Sequence, residues 1–342
     1  MIAADSSTDR PLAMPGRVAE SPRWPLLEVA RWIAIYAIVW LHTVRSEALA
    51  RSTLLTRFAV PLFVAACVFL VFQGVRRKPQ RTFLEYGRNR FVRIYLPFLV
   101  WSGVYLGFKA IKSVSMPEQA NRYPGGLDVL WAGGFYHLWF MPFILVVSLA
   151  ALALAKTAYG REWLRWPMAV GFLLLGLAIG LPGIAGRIAP DCDPLQYMLD
   201  ALPAAFWAVA VGLIYDGGQS RLWRGFSRFR LDILAFLACM TWLWISGRST
   251  PVENLAGVLV LLIALRPPRS SLLCRLGSFP SLAYGIYFSH LLPIKICESL
   301  AARRGLSPSW QLDVAIFLVS ATAATLLTWL LYRCRWTRWL AA

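Results

Sequence analysis

The stretch Ala30–Thr43, ARWIAIYAIVWLHT, is apolar enough to lie in lipid, yet it holds Arg31 near one end and His42 near the other. Their separation corresponds to about 1100° of helix, three turns and a small remainder, so the two side chains share one face roughly 16 Å apart. An ionisable group inside a spanning helix is costly, and it usually faces a bundle interior or a wet cavity and marks a functional position. A local alternative exists for this stretch. Arg31 can pair with Glu28 at i, i+3 and extend its head to the inner surface, while His42 hydrogen-bonds at the outer interface.

The rest of the chain extends the apolar pattern. Of its 342 residues 58% are hydrophobic and only 15% charged, and the mean hydropathy is +0.57. Runs long enough to cross about 30 Å of hydrocarbon recur along the whole length. They cover residues 26–45, 54–73, 92–112, 135–156, 167–186, 195–215, 231–247, 252–266, 278–297 and 311–332. The expected fold is therefore all-α, a polytopic transmembrane helical bundle of about ten spanning helices. The boundary between the seventh and eighth rests on a short break at Gly247–Pro251.

A net charge of +18 would suggest nucleic acid in a soluble protein, but here it follows the membrane. Under the ten-span map about two thirds of the basic residues fall on the side of the N-terminus, which puts both termini in the cytoplasm. Residues 1–24 read as a disordered cytoplasmic tail rather than a signal peptide, residues 25–334 as the membrane domain, and 335–342 as a short basic cytoplasmic C-terminus. The six cysteines show no CxxC spacing, so neither a zinc site nor a disulfide framework is expected.

The polar residues within or beside the spans fall into four groups. Glu28, Arg31 and His42 belong to the first helix. The segment GRNRFVRIYLP brings Arg90 and Arg93, three apart, to the start of the third; on one helical face they would form a cationic site for a phosphate, or an inner-leaflet anchor. GGFYHLWFMPF places His137 and Trp139 at the expected opening of the fourth helix, where an aromatic belt is the plainer reading. LGSFPSLAYGIYFSHLLPI carries Tyr284, Tyr287 and His290 in the ninth.

These elements, in this order, resemble the integral-membrane acyltransferase family 3. Its members typically begin with an acidic residue, an arginine three residues on and a histidine eleven further, here Glu28, Arg31 and His42. The basic run into a proline, the HLWF element at His137–Phe140 and the late element from Gly277 to His290 follow. Glu28 stands where Asp is commoner, and Trp32 replaces a frequent glycine. The resemblance implies acyl transfer, most often of acetyl, from cytoplasmic acyl-coenzyme A to a carbohydrate hydroxyl, often on a cell-envelope glycan or its lipid-linked precursor, by a multi-pass protein of the cytoplasmic (inner) membrane. No metal is expected to take part. His42 is then the general base, with Glu28 also in the catalytic set. Arg31, Arg90 and Arg93 receive the coenzyme A phosphates, and His137, Trp139, Tyr284 and His290 orient the acceptor or stabilise the oxyanion. The competing readings are transfer of succinyl or another acyl group, and a transporter or flippase of lipid-linked sugars; inverted repeats, the mark of many transporters, are not apparent.

Overall fold

In the computed structural model the described residues are 24–115, 126–188, 192–215, 230–247, 251–268, 270–278 and 282–341. The expected N-terminal tail lies almost wholly outside them. The main helices are α1 (Pro25–Thr43), α2 (Ala59–Arg77), α3 (Phe83–Arg90), α4 (Leu96–Ser115), α5 (Phe140–Ala158), α6 (Glu162–Ile179) and α7 (Asp193–Ile214). They continue as α8 (Leu231–Ser246), α9 (Val252–Ala264), α10 (Ser271–Ser278), α11 (Ala283–Ser289), α12 (Leu291–Arg303) and α13 (Trp310–Arg333). No strand occurs among the described residues.

Helix occupies all ten expected positions, but among the described residues seven segments are long and apolar enough to cross a membrane. The shortfall is physical. The 13 residues of α9 rise only about 20 Å at 1.5 Å each, and α8 is little longer. The expected ninth span is α11 followed at once by α12, with His290 between them at helical dihedrals, φ −60° and ψ −31°. Pro293 leaves one backbone bond unmade there, and Lys295, Glu298 and Arg303 make α12 less apolar than a spanning helix.

Contacts between helix ends define two poles. At one, Arg77 lies over the Trp24 ring, 4.9 Å from its centroid, and Lys156 Nζ donates to the Pro79 carbonyl at 3.3 Å. Arg76 donates to the last carbonyls of α7, those of Gly212, Leu213 and Tyr215, groups that no residue further along the helix can satisfy. At the other pole, buried Asp313 at the start of α13 accepts from the Arg45 amide at 3.1 Å, the Ser46 amide at 3.0 Å and the Ser46 hydroxyl at 2.5 Å. That carboxylate fixes the chain leaving α1 to the last helix.

Small residues set the close approaches, as they must where lipid supplies little driving force between helices. A Cβ at Gly257 would stand 2.5 Å from Pro61 Cβ and 2.7 Å from the Leu62 amide, so the glycine lets α9 seat directly on α2. A Cβ at Gly176 would stand 2.4 Å from Trp207 Nε1; this contact holds α6 on α7, while Leu174 and Leu177 face outward. The C-terminal segment is not a free tail. After α13 it turns back, Ala341 is fully buried, and its Cα is the backbone atom nearest a Cβ built at Gly285, 3.0 Å away.

Candidate active site

The segment 133–139 determines where His137 stands, and it is not the start of a helix. α5 begins at Phe140, and the preceding residues form tight turns buried against α4. Gly133 takes φ 85°, a conformation that favours glycine. Gly134 lies so close to α4 that a Cβ would be 2.4 Å from the Ser102 carbonyl oxygen. Non-helical backbone at such depth is tolerated where protein buries it or a cavity adjoins it, and both hold here.

This turn carries His137 to the other two histidines. The His290 ring centroid lies 5.4 Å from that of His42 and 5.3 Å from that of His137. The three come from α1, the 133–139 turn and the α11–α12 junction, so three separate elements meet at His290. His42 and His137 line a cavity of about 340 Å³ together with Tyr136, Trp139, Tyr197, Asp200, Glu253, Asn254 and Tyr287.

Hydrogen bonds assign some of the protons. His290 Nδ1 lies 2.8 Å from the Tyr287 carbonyl and 3.2 Å from that of Ile286; since carbonyls only accept, Nδ1 carries the hydrogen. Its Nε2 is buried and has no hydrogen-bond partner among the described residues. His42 Nδ1 lies 3.2 Å from the Tyr136 hydroxyl, and either tautomer satisfies that contact. Neither ring nitrogen of buried His137 makes a well-formed hydrogen bond among the described residues, although the carbonyls of Tyr287 and Phe288 are near. Among the same residues no group of three His, Cys, Asp or Glu converges as metal ligands would.

The other expected site residues separate into two places. Glu28 and Arg31 form the local ion pair that their spacing allows, Nη1 to Oε1 at 2.9 Å and to Oε2 at 3.2 Å. Glu28 precedes His42 by roughly 21 Å of helix, so it acts on Arg31 and not on the histidine. Trp32 stacks on Tyr36, with centroids 6.0 Å apart, and Tyr36 bonds Thr325 of α13 at 2.9 Å; the tryptophan is accommodated in this packing. Arg90 Nε donates to Tyr86 at 2.8 Å, and the thiol of Cys67 on α2 is within electrostatic reach of both Arg90 and Arg31.

Arg93 does not join them on a shared face. Residues Phe91–Tyr95 form a π-helical turn, whose i→i+5 bonding changes the angular spacing, and Arg93 is exposed while Arg90 is half-buried. Tyr284 is also displaced from its expected role. Its hydroxyl donates at 2.8 Å to the Arg93 carbonyl and lies 3.2 Å from that of Ile94, so it braces the π turn, away from the histidines. Tyr287 stands nearer, its ring 5.5 Å from His137 and its hydroxyl bonded to the His137 carbonyl. Trp139 stacks on Tyr197 with centroids 5.8 Å apart. Tyr136, Asp200, Glu253 and Asn254 complete the cavity wall; no motif in the sequence marked the last three, and Tyr136 read only as an aromatic beside His137.

Fold and site together define a multi-pass helical membrane protein with a polar, histidine-lined cavity inside its bundle. Residues 24–333 match the family model described as the acyltransferase 3 "Acyltransferase domain", and the chain belongs to that family of membrane acyltransferases. Comparison with curated proteins and with solved structures gives no significant match.

Proposed function

We propose that this acyltransferase moves an acyl group, acetyl in the simplest case, from cytoplasmic acyl-coenzyme A to a hydroxyl of an envelope carbohydrate or its lipid-linked precursor, in the cytoplasmic membrane. The observation that carries the reading is the convergence of His42, His137 and His290 beside one cavity, with Arg31 bound to Glu28 and Arg90 to Tyr86 away from it. The positive-inside bias makes the Arg76–Arg77 pole cytoplasmic, with both chain ends there, and the His42 pole outer.

In this scheme His42 Nδ1–H donates to Tyr136, which leaves Nε2 unprotonated and able to act as a base. The acceptor hydroxyl gives its proton to Nε2 as its oxygen attacks the thioester carbonyl carbon, a contribution of roughly 10² to 10⁴ in rate. The resulting oxyanion needs a donor; His137, with neither nitrogen firmly engaged, fits that role better than Tyr284, whose hydroxyl is already committed. Collapse re-forms the carbonyl and breaks the carbon–sulfur bond, and the departing thiolate takes the proton from His42. Arg31, held by Glu28, and Arg90, held by Tyr86, receive phosphate. Arg93 lies outside that pair and contributes only to the surface charge.

The test is release of coenzyme A from acetyl-coenzyme A by purified protein in nanodiscs, with and without an envelope glycan extract. His42→Gln keeps bulk and hydrogen bonding but makes no useful base, so turnover falls at least 100-fold. Near-normal turnover in that variant, with wild type active, overturns the assignment of the base.

A further inference from the structure

The cavity has a second wall, away from the histidines, that the chemistry above does not use. It is built by α7 and α9. Asp200 of α7 projects a carboxylate with no hydrogen bond or ion pair among the described residues, and Glu253 of α9 lies 3.9 Å from Arg57, a long pair with a half-exposed arginine. Asn254, fully buried, spends its amide N–H on the Asp200 backbone carbonyl at 2.8 Å. That bond lies one residue past the Leu199 carbonyl, the one that Pro203 leaves without a helical donor. The side-chain oxygen of Asn254 is left buried without a partner. Such an atom is expensive to leave unsatisfied, and the cavity it lines is where a partner can stand. The stacked pair Trp139 and Tyr197 closes the same side with apolar ring surface.

The wall thus offers acceptor groups from Asp200 and Asn254, with the engaged carboxylate of Glu253 beside them, and an aromatic surface. Among the described residues that line the cavity, Arg57 is the one side chain with a permanent positive charge, and it is turned toward Glu253. A vicinal diol donates two hydrogen bonds to a carboxylate, and the C–H face of a sugar ring packs on an aromatic one. A carboxylated or phosphorylated ring meets the carboxylates of Asp200 and Glu253 there, and repulsion between like charges disfavours it. We propose that this wall is the acceptor subsite, and that it takes a neutral, polyhydroxylated glycoside ring while rejecting anionic sugars. The inference rests on the acyl-transfer reading for its purpose, but the binding itself does not require transfer.

The experiment uses the full chain in nanodiscs with His42→Ala, so that no reaction consumes ligand. Saturation-transfer NMR then reads contact with methyl β-D-glucopyranoside, methyl β-D-galactopyranoside, methyl α-L-rhamnopyranoside and methyl β-D-glucuronide. At least one neutral glycoside should receive saturation on its ring protons, and the glucuronide none. Asp200→Asn, nearly isosteric, should weaken neutral binding about tenfold, the size expected on losing a hydrogen bond to a charged group, and should admit the glucuronide. Asn254→Leu provides a second, independent loss, and thermal midpoints of all variants show that they fold. The subsite is overturned if no neutral glycoside binds, if the glucuronide binds equally well before any change to the wall, or if neither substitution alters binding. Coenzyme A release by wild type is measured in parallel. Glycosides bound with this selectivity but no release defeats transfer and keeps the subsite; release without such binding does the reverse.

Discussion

Replacing Gly134 by alanine adds one carbon to a residue that has no part of its own in the reaction, and should nevertheless disable the site. The new Cβ would meet the Ser102 carbonyl oxygen at 2.4 Å, the Ser102 carbonyl carbon at 3.1 Å and Leu106 Cγ at 3.0 Å. Ordinary contact begins at 3.4 Å, so the 133–139 turn must retreat by about 1 Å, since the Ser102 oxygen belongs to helical backbone and cannot yield. Overpacking of this kind costs about 1–3 kcal/mol in stability. The larger effect is geometric. His137 and Tyr136 ride on the turn, Tyr136 bonds His42, and an error of about 1 Å in positioning can cost roughly 100-fold in rate. Turnover is read as coenzyme A release, donor affinity by titration with acetyl-coenzyme A, and folding by the thermal midpoint in nanodiscs. Donor affinity should hold, because Arg31 and Arg90 lie elsewhere. Gly74→Ala, with nothing within 4 Å of the added atom, is the control and should leave turnover unchanged. If Gly134→Ala kept turnover within threefold of wild type, the turn would not be what positions the histidine cluster.

Other outcomes follow from the same structure. Arg31→Lys should weaken acetyl-coenzyme A binding severalfold and Arg31→Ala with Arg90→Ala more than tenfold, because a guanidinium grips phosphate through two bonds and an ammonium through a point charge; Arg93→Ala should change affinity little, and equal losses at all three positions would restore a shared cationic face. Asp313→Ala strands the buried amide of Ser46 and the amide of Arg45, a loss of about 3 kcal/mol, seen as a lowered thermal midpoint; an unchanged midpoint would mean that the α1–α13 junction carries no stability. In a cysteine-free background, a membrane-impermeant maleimide applied to intact cells should label a cysteine at Leu306 and not one at Gln80, both positions being exposed. The opposite pattern would invert the bundle and turn His42 toward the cytoplasm.

Much of this protein is written locally. Long apolar runs had to become helices in lipid, since only intrasegment hydrogen bonds satisfy the backbone there, and helix lies at every expected position. The Glu28–Arg31 pair and the shared face of Arg31 and His42 follow from helical periodicity over a few turns, which needs no knowledge of neighbours. The four polar motifs in order were enough to indicate the family. Their spatial relations were not accessible in the same way. Arg90 and Arg93 would share a face in an α-helix, and it is the π turn that parts them. Tyr284 and Tyr287 look alike in sequence, yet one braces that turn and the other stands beside His137, because each lies against a different partner. His137 reaches the site only because Gly133 and Gly134 let a buried turn press on α4, and His290 meets it there only because α11 packs its ring against His42 and His137. Asp200, Glu253 and Asn254 carried no motif at all; their helices meet because both seat closely on α2, α9 at Gly257 and α7 at Gly212. Periodicity fixes which way a side chain points from its own helix, whereas the distance between two helices is set by the atoms that each leaves out, and those become visible only when the facing surface is in place.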